Sequence, residues 1–222
     1  MDQLRAGVLQ FQQEGYQRHR ELFARLATGQ QPRVLFLTCA DSRIDPNLIT
    51  SSVPGELFIC RNPGNLVPPY GVEDGGVATT AEYAIDVLGV RQIVVCGHSD
   101  CGAMRALLEP EKVATLPSVA AWLRHGEAAR RISGTAHAQA SGTEQLRLLT
   151  EDNILAQLAN LRTYPAVAAH LAAHDLTLHG WYYDIPSGQV WEFDPEREHF
   201  VPLAELVGAA PAPQPHSVHS HS

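Results

Sequence analysis

Alternating apolar runs and helical patterns predict an α/β fold. Apolar runs rich in branched side chains, typical of buried strands, occupy residues 33–39, 56–61, 92–97 and 176–185. Helical spacing of apolar residues covers residues 74–88, 116–131 and 143–173, the last with a break expected at Tyr164-Pro165. We therefore expect a mostly parallel central sheet of four strands flanked by helices. The segment 189–194, after the turn at 186–188, would add an antiparallel edge strand.

The two ends of the chain differ from this pattern. Residues 2–28 place Leu4, Val8 and Phe11 near helical spacing, which predicts one long helix ended by Gly29. This helix precedes the first strand, so its apolar stripe would pack on a partner subunit or, alternatively, on its own domain. Residues 209–222 have low complexity, which predicts disorder. We divide the chain into an N-terminal helical arm (1–30), an α/β domain (31–207) and a disordered tail (208–222).

Composition narrows the class of protein. A chain of 222 residues is long enough for one domain with a sizeable core. Its formal net charge of -8 offers no basic surface for nucleic acid. It shows no charged-then-apolar leader and no apolar run of membrane-spanning length, so we expect a cytoplasmic protein with no membrane partner. Four cysteines do not indicate a disulfide framework.

Metal-binding residue types follow two of the predicted strands. The first strand ends at Cys39, and the strand at 92–97 is followed by His98 and, three residues later, Cys101. Parallel neighbours would bring these strand ends together at one edge of the sheet. Two thiolates and one imidazole suit Zn²⁺, and three protein ligands leave a fourth position for water or substrate. Alternatively, Cys39 and Cys101 are buried thiols without a ligand role.

Several motifs together carry a resemblance to a known family. They are Cys39-Ala-Asp41-Ser-Arg43, Arg61-Asn-Pro-Gly-Asn65, Glu82-Tyr83 and Gly97-His98-Ser-Asp-Cys101-Gly102. In order and spacing, across almost the whole chain, they resemble the β-class carbonic anhydrases, with residues 45–50 and 55–58 similar to cyanobacterial members. The resemblance implies one Zn²⁺ per chain and reversible hydration of carbon dioxide to bicarbonate and a proton. Carboxysome association has no support in so short a tail.

The resemblance also implies roles for Asp41 and Arg43. Arg43 would hold Asp41 so that the carboxylate orients the zinc water. If this pair breaks, Asp41 would become a fourth zinc ligand in a closed state. The alternative is a local salt bridge that only fixes the turn after the strand.

Substrate-binding residues follow from the same resemblance. Gln30 matches a glutamine that reaches the active site across a dimer interface, although Gln31 beside it could be the residue meant. Phe58 and Tyr83 match positions that line the carbon dioxide pocket, and Gly102 completes the set. The resemblance thus implies a homodimer or a dimer of dimers.

Two other functions share these residues. A related zinc hydrolase could act on carbonyl sulfide or carbon disulfide with the same ligands. A non-catalytic protein could instead use Asp41 to close a structural zinc site, or serve as a carboxysomal scaffold. The intact Asp41 and Arg43 argue against lost catalysis, because a structural site has no use for this pair.

Overall fold

The structure, a computed structural model, describes residues 1–72 and 75–208. The strands of this part form one six-stranded sheet in the order β2-β1-β3-β4-β5-β6. Their bounds are β1 Val34–Cys39, β2 Leu57–Asn62, β3 Gln92–His98, β4 Thr177–Tyr183, β5 Val190–Asp194 and β6 His199–Pro202. Strands β2, β1, β3 and β4 are parallel, and β5 is antiparallel to β4. The predicted α/β fold with four parallel strands is confirmed.

The sheet has one more strand than predicted. We expected the segment at 189–194 to be the edge, but β6 pairs with β5 on its outer side. The connecting turn is held by Asp194, whose Oδ1 accepts hydrogen bonds from the backbone N–H groups of Glu196 and Arg197 at 2.9 and 3.2 Å. With four residues ending in a proline, β6 is too short for its alternation to be distinguished from loop.

Helices cover the sheet and precede it as an arm. Those of the arm are α1 Asp2–Gln10, a π turn Phe11–Gly15, α2 Tyr16–Arg18 and α3 Arg20–Leu26. Those of the domain are α4 Pro46–Thr50, α5 Gly76–Glu82 with a π turn Tyr83–Val87, α6 Gly102–Leu108, α7 Pro117–Leu123, α8 Glu127–Ala136, α9 Gly142–Leu161, α10 Pro165–Ala172 and α11 Leu203–Val207. Among the helices of residues 1–72 and 75–208, none combines the length and the apolar character of a membrane span.

Most helix boundaries follow the sequence signals. Asp45 caps α4, because its Oδ1 accepts hydrogen bonds from two N–H groups of the first turn. The break before Pro165 is confirmed, since α9 and α10 are separate helices. The helix predicted over residues 116–131 is two helices, because a tighter turn at Arg124–Gly126 separates α7 from α8, and α8 continues to Ala136. The predicted helix start at Asp74 and the tail from residue 209 lie outside the described residues.

The arm is not the single helix that was predicted. The backbone breaks at His19, which has φ -112° and ψ 21°. In one straight helix Phe11 and Phe23 would lie about 18 Å apart along the axis. Instead their ring centroids are 5.8 Å apart, and Tyr16 stacks on Phe23 at 5.3 Å. This aromatic cluster, formed between residues distant in sequence, accounts for the break.

The central strands are buried on both faces, which explains their continuous apolar runs. Leu35, Leu37, Ile93 and Val95 pack against α5, α9 and α10 in the main core. On the opposite face, Phe36 and Val94 pack with neighbours that include Trp181. Helix α9 approaches β3 and β4 closely where the strands carry glycine: a Cβ added to Gly180 would lie 2.9 Å from Ile154 Cγ2 and 3.1 Å from Leu158 Cδ1.

We predict that Gly180→Ala destabilises the protein by about 1–3 kcal/mol, because the added methyl group overpacks the contact between β4 and α9. The matched control is Gly134→Ala in α8, where an added Cβ meets nothing within 4 Å. This control should be stabilised by about 0.5–1 kcal/mol, the helix propensity difference. Urea unfolding of both variants measures the effect. Equal stability of Gly180→Ala and the unsubstituted protein would contradict the packing described.

Candidate metal centre

Cys39, His98 and Cys101 lie together at the carboxyl edge of the sheet. Cys39 ends β1, His98 ends β3, and Cys101 immediately precedes α6. Strands β1 and β3 are parallel, with Thr38 opposite Cys96, so both strands end at the same edge. One donor atom from each of Cys39, His98 and Cys101 lies within 4.8 Å of the other two, and all three residues are buried. The structure therefore brings together the three ligands expected from the sequence.

His98 is oriented for metal binding. Its Nδ1 lies 2.8 Å from the backbone carbonyl oxygen of Ser99. An N–H donated there leaves the Nε2 lone pair free. In the described residues Nε2 is buried and has no hydrogen-bond partner. A buried polar atom without a partner is costly, and a metal ion would satisfy it. Orientation of a ligand His through its other ring nitrogen is common at metal sites.

The pKa values of Cys39 and Cys101 are shifted in opposite directions, so that a proton is held on Cys101 rather than on Cys39. Their sulfur atoms are 4.0 Å apart. A hydrogen bond from Cys101 lowers the pKa of Cys39, with smaller help from His98 and the Gly64 N–H. Cys101 has its pKa raised well above the usual value by its hydrogen bond to Cys39 and by burial. A divalent cation would displace that proton and bind both sulfurs as thiolates. Two thiolates and an imidazole at this spacing fit Zn²⁺.

Asp41 is fixed beside the cluster by Arg43. The guanidinium donates from Nε to Oδ1 at 2.9 Å and from Nη2 to Oδ2 at 2.7 Å. These hydrogen bonds hold the pKa of Asp41 well below its usual range. The carboxylate is therefore an acceptor only. Its Oδ2 lies 3.9 Å from His98 Nε2, the nitrogen that faces the metal site.

Further charged residues hold this pair, and the sequence did not reveal them. Arg43 also donates to the carboxylate of Asp100 from Nη1 at 3.0 Å, and Asp100 in turn pairs with Arg105. Arg61 donates to the backbone oxygens of Cys39 and Asp41 at 3.1 and 2.7 Å. The position of Asp100 between two ligands was a usable signal, whereas the bonds of Arg61 depend on the pairing of β1 with β2.

Gly64 is another residue whose part in the site was missed. Its backbone N–H donates to Cys39 Sγ at 3.3 Å. It has φ +80°, and an added Cβ would lie 2.8 Å from the Cβ of Ala103. Glycine is therefore needed here both for the backbone conformation and for the close approach.

The predicted substrate residues lie at opposite ends of the parallel strands, some at the carboxyl edge of the sheet and others at the amino edge. Gly102 begins α6 beside Cys101. Phe58 lies opposite Leu35 in the register of β1 and β2, four residues before the level of Cys39. That separation is about 13 Å along the strand. Tyr83 packs on Phe58 with ring centroids 6.0 Å apart.

Gln30 lies in the exposed segment before β1, which Val34 begins. It therefore precedes the strand that Cys39 ends, at the edge opposite the metal cluster. Within one chain, Gln30, Phe58 and Tyr83 all lie at or near this opposite edge of the sheet.

Comparison with known proteins agrees with this geometry. Residues 34–190 match the family model described as carbonic anhydrase. A carbonic anhydrase of Pseudomonas aeruginosa is 52% identical over 199 residues, covering 90% of each chain. The structure of the β-carbonic anhydrase CcaA is 45% identical with a TM-score of 0.89, covering 91% of this chain and 98% of the other.

A third relative is a structure from work on two tetrameric β-carbonic anhydrases of Sordaria macrospora. It is 28% identical with a TM-score of 0.77, covering 86% of this chain and 97% of the other. On the family match, the sequence identities and the shared fold together, the chain belongs to the β-class carbonic anhydrases.

Proposed function

We propose that this protein binds one Zn²⁺ per chain through Cys39, His98 and Cys101 and reversibly hydrates carbon dioxide to bicarbonate and a proton. The observation that carries the proposal is the buried, unpartnered Nε2 of His98 between two thiols, with the Asp41 carboxylate 3.9 Å away. The chemistry that zinc supplies in such a site is a water acidified towards neutral pH. With its thiols used as metal donors, the protein suits the reducing cytoplasm.

Asp41 and Arg43 would orient the water at this site. The carboxylate cannot donate, so it accepts a hydrogen bond from the attacking water and aims a lone pair of that water at the substrate. Arg43 prevents the carboxylate from rotating, because it holds both oxygens. Release of Arg43 would free Asp41 to become the fourth ligand, which is the closed state expected from the family resemblance.

The substrate pocket is completed by a second copy of the chain. Gln30, Phe58 and Tyr83 lie far from the metal ligands of their own chain, by about 13 Å for Phe58. The surface beside Phe58 is exposed and apolar: Tyr83, which packs on Phe58, and Val87 are 44% and 63% exposed. Pairing two copies through this surface would bring the three residues of one protomer to the metal site of its partner. Gly102 would belong to the same chain as the metal ligands of that site.

The arm at residues 1–30 supports the same assembly. No residue of α1 is buried, and Leu4, Val8 and Phe11 are 67%, 52% and 46% exposed on one face. So large an apolar stripe is typical of a protein interface. We propose that the arm packs on the partner subunit in a homodimer or a dimer of dimers.

Hydration activity tests the catalytic proposal. Cys39→Ser should lose zinc and turnover, and Asp41→Asn should keep zinc but lose activity on the order of 100-fold through misorientation of the water. Asp175→Asn, at an exposed aspartate paired with His170, makes the same chemical change away from the site and should be fully active. Stopped-flow assays of carbon dioxide hydration measure turnover, and the bound zinc is quantified in the same samples.

The hydration activity should also depend on pH. Bound zinc would supply a deprotonated water as the nucleophile, and thiolate ligands at Cys39 and Cys101 would reduce the positive charge that acidifies this water. Activity should therefore rise between pH 7 and pH 8.5. A zinc-loaded protein with no turnover at either pH would contradict the proposal, and carbonyl sulfide and carbon disulfide would then be assayed.

Mixed dimers test whether the pocket is shared. Gln30→Ala and Cys39→Ser should each have low activity alone. Coexpressed, they form heterodimers in which one site has its zinc ligands from one chain and an intact Gln30 from the other. We predict activity well above that of either parent. If Gln30 served its own chain, no site in the heterodimer would be complete and no recovery would occur.

Charge on the apolar face of the arm tests the assembly. Val8→Lys should lower the molar mass measured by light scattering, because burial of an unpaired ammonium in the interface is costly. Gln10→Lys adds the same charge on the opposite side of α1 and should leave the mass unchanged. A Val8→Lys protein of undiminished mass would exclude this face from the interface.

A further inference from the structure

The segment from Pro63 to Tyr70, which follows β2, is held mainly by side chains. Its backbone accepts hydrogen bonds from Trp122, Asn153, Asn160 and Tyr164 and donates to Gln157 and Thr163, at distances of 2.7 to 3.1 Å. Five of these six side chains belong to α9 or to the few residues that follow it. The segment contains Gly64, whose N–H reaches the sulfur of Cys39.

Two of these contacts fix the peptide groups on either side of Gly64. Trp122 Nε1 donates to the Pro63 carbonyl at 2.8 Å, and that carbonyl belongs to the same planar peptide as the Gly64 N–H. Asn153 Nδ2 donates to the Gly64 carbonyl at 3.1 Å and fixes the next peptide. The two peptide planes determine where the Gly64 N–H points.

A second amide sets the orientation of Asn153. Gln157 Oε1 accepts from the Val67 N–H at 2.7 Å, so its Nε2 must face Asn153 Oδ1, 2.9 Å away. Asn153 is then left with Nδ2 for the Gly64 carbonyl. Both side chains are fully buried on the same side of α9. A buried amide chain with every member paired is rigid, because any rotation leaves a donor or acceptor unsatisfied.

We propose that Trp122 and Asn153 are positioning residues of the metal centre, which direct the Gly64 N–H onto the sulfur of Cys39. The inference rests on the proposed zinc site. A hydrogen bond to a ligand sulfur draws electron density from the thiolate and so tunes the bound metal. In the part of the chain that the structure describes, neither side chain hydrogen-bonds a metal ligand. Their effect passes through one backbone N–H.

The experiment uses Trp122→Phe, which keeps a ring and removes the N–H donor, and Asn153→Leu, which keeps the approximate volume. The matched control is Trp191→Phe in β5, where the indole packs on Tyr182. Amide hydrogen exchange of Gly64 in the full-length protein as purified is the first measurement. We expect exchange about tenfold faster or more in both variants and unchanged in the control, as befits one lost hydrogen bond.

The second measurement is the sulfur-to-cobalt charge-transfer band of the Co²⁺-substituted full-length protein. Loss of the N–H···S bond makes the thiolate more electron-rich, so the band should shift to longer wavelength in both variants and not in Trp191→Phe. Unchanged Gly64 exchange in both variants, or faster exchange with an unmoved band, would overturn the proposal. If the unsubstituted protein bound no Co²⁺, the proposed zinc site would fail, and the positioning of Gly64 would still be decided by exchange.

Discussion

The site depends on the register between β1 and β3. Because Thr38 lies opposite Cys96 in a parallel pair, Cys39 and His98 reach the same edge of the sheet. The turn after His98 then brings the Sγ atom of Cys101 to 4.0 Å from the Sγ atom of Cys39. A slip of one residue would turn the Cys39 side chain to the other face of the sheet. Burial of both strands on two faces opposes such a slip, so the packing of the core fixes the relative positions of Cys39 and His98.

The charged side chains around the cluster orient Asp41 more than they stabilise the fold. Arg43 is 43% exposed and Asp41 18% exposed, and pairs of this kind add about 0–1 kcal/mol to folding. Yet the guanidinium binds both carboxylate oxygens and Asp100. Arg61 meanwhile holds the backbone at Cys39 and Asp41. Together these bonds confine Asp41 to one orientation beside His98, and its proposed chemistry requires that confinement.

Sequence reasoning succeeded where the signal is local. The apolar runs of β1 and β3 and the residue types at their ends were enough to assemble Cys39, His98 and Cys101. It failed where the cause is a contact between distant residues. The break at His19 follows from the ring cluster around Phe23, and β6 depends on pairing with β5.

The support of Gly64 shows the same limit more strongly. Asn153 and Trp122 contact its peptides across sequence separations of 89 and 59 residues. No spacing pattern predicts such pairs. The juxtaposition of Cys39, His98 and Cys101 could thus be predicted from the chain, whereas the contacts that hold Gly64 beside Cys39 could not.

We propose that two thiolates and one imidazole hold zinc, with an oxygen ligand in the fourth position. Zinc K-edge X-ray absorption of the purified protein measures this set directly. We expect two sulfur neighbours at about 2.3 Å and two nitrogen or oxygen neighbours at about 2.0–2.1 Å, with the sulfur count falling to one in Cys101→Ser if zinc is retained. A shell without sulfur, or with two sulfurs still present in Cys101→Ser, would contradict it.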